Sequence, residues 1–231
     1  MKPIVFFSPG GCSLGAVVAA EWSGQDYKLC QIPLGDEAAS RSYRRINPLG
    51  QTPSMRIGDK VLGQSLAVLR HIAAKSSDPR MGVKSGVAAD RFNMMLGFLH
   101  TSFFGAFTPL WMALHGASEA DKLVYTKMGS DHVRLAHEKL ELLMGNSEWL
   151  AGDVPTVADA YFAGIVRWND VHKAIDQSQF SKITALRERL DKLPGIQFGY
   201  AVESGQPATS EGGFRGFVTI DAAAEGTVGV F

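Results

Sequence analysis

Over its first eighty residues the chain alternates short apolar runs with short helical periods, punctuated by glycine and proline. Beyond that point the strand signals almost vanish. Few folds accommodate so abrupt a change. Residues 3 to 7 form an apolar, β-branched and aromatic run ended by Pro9-Gly10-Gly11, which reads as a buried strand entering a turn. A helix is expected over about 12 to 24, a strand over 27 to 32 and a helix over 36 to 45. Asn47-Pro48-Leu49-Gly50 is turn chemistry ahead of strands at 53 to 57 and 60 to 62, joined as a hairpin through Gly58-Asp59. Gln64-Ser65 then opens a helix to residue 75. The predicted order is β-α-β-α-β-β-α, an α/β unit over residues 1–78. Ser76-Ser77-Asp78-Pro79 is polar and helix-breaking and reads as a linker. An all-helical unit over 79–203 follows, with helices near 85 to 115, 119 to 144, 156 to 174 and 180 to 192. The third opens on Thr156-Val157-Ala158-Asp159, a capping box with Asp in place of Glu, so Asp159 reads as structural. Residues 204–231 form a tail rich in Gly, Ala, Ser and Thr, with a strand signal at 214 to 220. It caps a cleft, crosses to a second subunit or moves in solvent.

Composition narrows the function. Lys plus Arg and Asp plus Glu both number 23, so the net charge is zero and neither a nucleic-acid partner nor a polybasic membrane surface is expected. The balance is uneven along the chain: residues 1–78 carry 9 basic and 6 acidic side chains, and the remainder 14 and 17. Two cysteines, Cys12 and Cys30, make neither a disulfide framework nor a four-ligand zinc site, and no metal is expected. The apolar start is cut at Ser8-Pro9-Gly10-Gly11, short of the roughly 7 to 15 residues a secretory signal needs. No later run reaches the roughly 20 of a membrane span. The expectation is a cytoplasmic protein with no membrane partner.

Three segments carry candidate chemistry. In Ser8-Pro9-Gly10-Gly11-Cys12-Ser13-Leu14 a thiol sits where a turn meets a helix N-terminus, whose dipole and N–H donors favour thiolate. Three residues on stands Gly15, so no second thiol forms a redox pair, and a partner thiol must come from outside. In Gln51-Thr52-Pro53 a cis bond before Pro53 would leave the Thr52 N–H and C=O free to pair with an extended peptide. Gly63-Gln64-Ser65 offers an amide, a hydroxyl and free N–H groups to a carboxylate, or an ordinary helix cap.

Together these segments resemble the glutathione transferase superfamily, with its thioredoxin-like first domain and all-helical second domain. Ser-Pro-Gly-Gly-Cys-Ser-Leu is similar to the Pro-Gly-x-Cys-Ser-Leu signature of the bacterial beta class. Gly105-Ala106-Phe107-Thr108-Pro109-Leu110 and Thr156-Val157-Ala158-Asp159-Ala160-Tyr161 to Arg167-Trp168 look like that class too, so the likeness runs over roughly residues 3 to 200. The resemblance implies that glutathione is the co-substrate and that the protein is a homodimer. It makes Thr52 and Pro53 the backbone clamp, gives Gln64 and Ser65 the γ-glutamyl end, and sets Cys12 beside the glutathione sulfur, with Ser13 the second group able to activate a thiol. A modestly positive first domain suits an anionic tripeptide.

Three departures qualify the likeness. The histidine that the class usually carries three residues before Phe107 is Phe104 here, an asparagine one helix face earlier is Gly97, and the lysine after the second strand is absent from Leu34-Gly35-Asp36-Glu37. His100, four residues before Phe104 and on the same helical face, is the nearby imidazole. Ser8, His100, Phe104, Phe107 and Trp111 are candidate cleft-lining residues. The phenylalanines, tryptophan and methionines crowded into residues 92 to 112 are too many for one core stripe, and those lining a cleft would favour a flat, apolar electrophile. The expected activity is conjugation of glutathione to apolar electrophiles, as in detoxification, or thiol exchange through a Cys12 mixed disulfide. The competing readings are a specialised glutathione-dependent ether lyase, dehalogenase or isomerase, and a non-catalytic carrier of glutathione or apolar ligands.

Overall fold

The computed structural model describes residues 2–76, 78–82, 85–116 and 118–231. The first seven elements appear in the predicted order: β1 (Ile4–Phe7), α1 (Leu14–Trp22), β2 (Tyr27–Gln31), α2 (Glu37–Arg44), β3 (Ser54–Ile57), β4 (Lys60–Leu62) and α3 (Ser65–Ala74). β1 pairs parallel with β2 and antiparallel with β3, and β3 pairs antiparallel with β4 across the Gly58-Asp59 hairpin. All four residues of β1 are buried, because the sheet is covered on both faces. Alternation sends Val5 and Phe7 into a large core with α1, α3 and the helical domain. Ile4 and Phe6 go into a small core with Cys30, Tyr43 and Ile46. This is a thioredoxin-like domain.

Of the expected linker, Ser77 lies outside the described residues, and Asp78 caps a single 3-10 turn at Pro79–Met81. The helical part runs α4 (Val87–Phe98), a π turn (Leu99–Phe103), α5 (Phe104–Ala106), α6 (Thr108–Leu114), α7 (Glu119–Met144), α8 (Val157–Val166), α9 (Trp168–His172), α10 (Ser181–Leu190) and α11 (Pro194–Glu203). The capping box at Thr156 and Asp159 is formed, and Asp159 also accepts the Leu150 N–H at 3.0 Å. Helix α11 lies beyond the expected helices, the last of which ends near residue 192. Pro194 starts it, since a missing N–H costs nothing at a first helical position. Among the described residues no helix is long and apolar enough to cross a membrane.

The tail is built into the sheet. β5 (Phe214–Phe217) adds parallel to β2, α12 (Ile220–Ala224) crosses the small core, and β6 (Gly229–Val230) adds parallel to β4. The sheet order becomes β5-β2-β1-β3-β4-β6, so the tail covers both edges of the four-stranded unit. Ala223 is fully buried between α2 and the sheet, and its carbonyl accepts a guanidinium N–H of Arg56 at 2.8 Å. The tail is anchored at Glu21, a buried carboxylate of α1 that accepts from Tyr27, the Ser210 hydroxyl and the Gly212 N–H at 2.7–2.9 Å.

The two domains meet where α1 crosses α8. A Cβ on Gly15 would lie 2.7 Å from the Tyr161 Cα, and one on Gly164 would lie 3.0 Å from the Cys12 carbonyl oxygen. Both obstacles are backbone, so the helices touch only because neither position has a side chain. Gly15→Ala is expected to lower unfolding stability in urea by about 1–3 kcal/mol through overpacking. Gly97→Ala, where an added Cβ meets nothing, is expected to raise it by up to about 1 kcal/mol. Equal effects would refute this account of the crossing. Glu21→Ala removes the acceptor of the buried Tyr27 hydroxyl and of the half-buried Ser210 hydroxyl, leaves the Gly212 N–H only Ser210, and is expected to cost about 1–3 kcal/mol. It should also open residues 204–231 to limited proteolysis that the parent protein resists.

Candidate active site

At the C-terminal end of β1 the chain makes a tight turn stapled by Ser13, whose hydroxyl donates to the Ser8 carbonyl and accepts the Ser8 N–H, both at 3.0 Å. Two groups from the far side of the α8 crossing hold the next carbonyls. Arg167 donates to Gly11 at 2.9 Å, and the Trp168 indole donates to Gly10 at 2.8 Å. Arg167 is held in turn by a largely buried ion pair with Glu203. The turn presents the Cys12 thiol to a cleft of about 520 Å³ lined by Ser8, Cys12, Ile32 to Gly35, Gly50 to Pro53, Gln64, Ser65, His100 and Phe104.

Inside the cleft the Cys12 Sγ lies 3.7 Å from the Ser65 hydroxyl and 3.9 Å from the Thr52 carbonyl, which can accept its S–H. The Thr52–Pro53 bond is cis, and the Thr52 hydroxyl donates to Ser8 at 3.1 Å. The loop before it is braced by Tyr43 and Asn47, which both donate to the Gln51 carbonyl at 2.9 Å. Gln64 sits exposed at the start of α3 with φ +68°, a left-handed conformation that costs a non-glycine residue roughly 1–3 kcal/mol. Such strain concentrates where a side chain must be aimed, and Gln64 donates to the Gln51 amide oxygen at 3.3 Å across the cleft mouth.

Electrostatically the site departs from the expectation of a thiolate. Burial pushes the Cys12 thiol up to about 11, against smaller lowering effects from Ser65, its own turn and Arg167. The N-terminus of α1 does not win, because the helix begins two residues later, at Leu14, and the thiol is 7% exposed. Cys12 is therefore a protonated donor at neutral pH. Among the described residues no Lys or Arg lines the cleft, in keeping with the missing lysine after β2. Three sequence assignments need correction. Ser13 is fully buried with its hydroxyl committed to Ser8, so it braces the turn and is not free to activate a thiol. Phe107 is fully buried against Phe103 and Trp168. Trp111 packs on Trp168, His115 and His172 outside the cleft.

Sequence reasoning assigned no role to Tyr161, Arg167 or Trp168. The available signal was a tyrosine amid small residues in Ala158-Asp159-Ala160-Tyr161-Phe162-Ala163, followed by an arginine and a tryptophan one turn or two later. Tyr161 is fully buried on α8, and its hydroxyl meets His100 Nδ1 at 3.0 Å. Burial raises its phenol above the ordinary range. A larger cavity, about 650 Å³, lies between the C-terminal ends of α1 and α3. It contains neither cysteine and none of the three motifs, so the smaller cleft is the candidate site.

The cleft brings one thiol together with the cis Thr52–Pro53 bond and the Ser65 hydroxyl at its floor. Residues 16–80 match the model of the glutathione S-transferase N-terminal domain, and residues 106–194 match that of the C-terminal domain. The chain belongs to the glutathione S-transferase family. A glutathione S-transferase of Xanthomonas campestris, GST-4.5, is 29% identical over 193 residues, covering 80% of this chain and 91% of its own. The structure of a bacterial beta class glutathione S-transferase from Sphingomonas chungbukensis is 26% identical with a TM-score of 0.74, covering 87% of this chain and 98% of its own. That of a glutathione S-transferase from Xylella fastidiosa superposes with a TM-score of 0.79 at 24% identity, over 89% of this chain and 100% of its own. This transferase is accordingly beta-like. The ultraviolet thiolate absorbance of the parent protein minus that of Cys12→Ala is expected to show no Cys12 ionisation below the ordinary thiol value of 9.0. A midpoint near neutrality would mean that the turn's N–H groups outweigh burial.

Proposed function

We propose that this transferase binds glutathione across the cleft floor, with its cysteinyl backbone against Thr52 and Pro53 and its γ-glutamyl end at Gln64 and Ser65. It then either conjugates the glutathione thiolate to an apolar electrophile or exchanges thiols through a Cys12 mixed disulfide. The observation that carries this reading is the convergence of Cys12, the Thr52 carbonyl, Ser65 and the strained Gln64 on one cleft. A protonated Cys12 suits both outcomes. Beside a glutathione thiolate it donates its S–H and avoids the repulsion of two adjacent anions. In exchange it ends as a neutral disulfide, which costs nothing to bury. Ile32, Pro33, Leu34 and Phe104 make the outer wall apolar, which suits an apolar electrophile.

In this reading residues 1–78 hold glutathione, 79–203 supply the electrophile wall, and the tail clasps the first domain. Two free cysteines suit a reducing, cytosolic compartment. The exposed Leu123, Val124, Met128 and Leu135 on α7 fit a homodimer interface. Gln64→Gly tests the site directly. It is expected to raise stability by about 1 kcal/mol through relief of strain and to weaken glutathione binding, read by titration calorimetry, by about tenfold through loss of the side-chain hydrogen bond. Unchanged affinity would remove Gln64 from the binding site. With oxidised glutathione, mass spectrometry should show one adduct per chain that Cys12→Ala abolishes, and an adduct surviving that substitution would end the mixed-disulfide role.

A further inference from the structure

The cavity of about 650 Å³ between the C-terminal ends of α1 and α3 has no part in the glutathione reading. Its volume lies within the roughly 300–1,000 Å³ usual for small-molecule sites. Cys12 precedes the N-terminus of α1 and Ser65 begins α3, whereas the cavity lies at the far ends of both helices. At about 1.5 Å per residue, helices of nine and ten residues hold the two sites roughly 14 Å apart.

The gap has a local cause. The α1 residues on it are Ala20 and Ser23, three apart on one helical face and both small, so α1 offers nothing to fill the space beside Ile72 of α3. Met55 and Ile57, two apart on β3 and so on one face of the sheet, form the floor with the Tyr27 ring. The Tyr27 hydroxyl is committed to Glu21 at 2.7 Å, which leaves only the ring for the cavity. Ala20, Tyr27, Met55 and Ile72 are buried parts of the large core, so this surface is apolar and held in place by packing.

The rim is charged, and its balance is positive. Asp26 is shared between two cations: Lys2 meets one carboxylate oxygen at 2.8 Å, and Arg215, brought by β5 of the tail, meets the other at 2.7 Å. Lys75 adds a third cation, with no hydrogen bond or ion pair of its own among the described residues. His71, one turn before Lys75, is half-buried, and burial together with the Lys75 charge lowers its basicity, so at neutral pH it is a neutral imidazole with an N–H to offer. The C-terminal ends of α1 and α3 contribute about half a negative charge each. Lys75 is the C-cap of α3 and offsets that end directly. Positive charge is left over above an apolar floor.

We propose that this cavity is a second ligand site, which takes a small organic anion with an apolar body and one carboxylate or sulfonate group. The body lies on Tyr27, Met55, Ile57 and Ile72, and the anionic group faces Lys2, His71 and Lys75. A sugar would strand its hydroxyls on the apolar floor, and an organic cation would meet Lys2 and Lys75 at the rim. Binding is non-covalent and needs no group of the cleft around Cys12, so the proposal does not rest on the glutathione reading.

The test is a fluorescence titration of the full-length protein with anilinonaphthalene sulfonate, beside its neutral parent anilinonaphthalene, which keeps the rings and lacks the anion. The sulfonate is expected to bind saturably, one per chain, and more tightly than the neutral compound. Lys75→Glu, an exposed change, should weaken the sulfonate about tenfold at low salt, less at high salt, and leave the neutral compound unchanged. Ile57→Trp should fill the cavity and abolish both, and if it fails to fold the Lys75→Glu titrations decide. Absence of saturable binding, equal affinity for the two compounds, sulfonate binding indifferent to Lys75→Glu, or its retention by folded Ile57→Trp would overturn the site. Excess glutathione should leave the bound sulfonate in place, and displacement would put the probe in the Cys12 cleft and overturn the proposal. Failure of glutathione itself to bind, read by calorimetry, would count against the active-site reading and leave this site standing.

Discussion

The close approach of α1 to α8 is the contact on which the site depends. Gly15 rests on the backbone of Tyr161, and Gly164 rests on the carbonyl of Cys12, so each domain delivers one polar residue to the same point without a side chain between them. Packed interiors have few voids and do not deform gradually. A methyl group at this crossing would therefore move the thiol-bearing turn, Tyr161, and the Arg167 and Trp168 bonds to Gly11 and Gly10 as one unit. The domain interface here is part of the active-site floor.

Burial at that interface also explains the electrostatics. A helix N-terminus lowers a nearby thiol's pKa only while solvent or charge supports the anion. Cys12 sits before the first helical residue, beneath α8, and desolvation dominates. Among the described residues the cleft lining has no Lys or Arg to offset it. A neutral thiol coupled to neutral hydroxyls is the arrangement that such an environment stabilises, because it holds no unpaired charge in a low dielectric.

Local patterning made much of this readable in one dimension. The strand β1, the Gly58-Asp59 hairpin and the Thr156/Asp159 cap depend on neighbours a few residues apart, so periodicity and turn chemistry reveal them. Helix α11 did not show, since Pro194 opens a segment of small and apolar residues with weak helical contrast. The strand signal at 214 to 220 is met by β5, but β6 and the place of both strands in the sheet did not show, because they are four and two residues long and gain their pairing from β2 and β4, far away in the chain. Phe107 and Trp111 are indistinguishable from Phe104 in a list of aromatics. Only the packing of the helical domain separates Phe104, which lines the cleft, from the other two.

By itself the sequence determined the two-part architecture and the three segments around Cys12, Thr52 and Ser65, because short-range pattern and residue type suffice for both. Tertiary structure decided the rest. It made the thiol neutral, committed Ser13 to the turn, brought His100 against Tyr161 and wove the tail into the sheet. Each of these depends on burial or on partners tens of residues distant, and desolvation is a property of the packed whole that no local segment encodes.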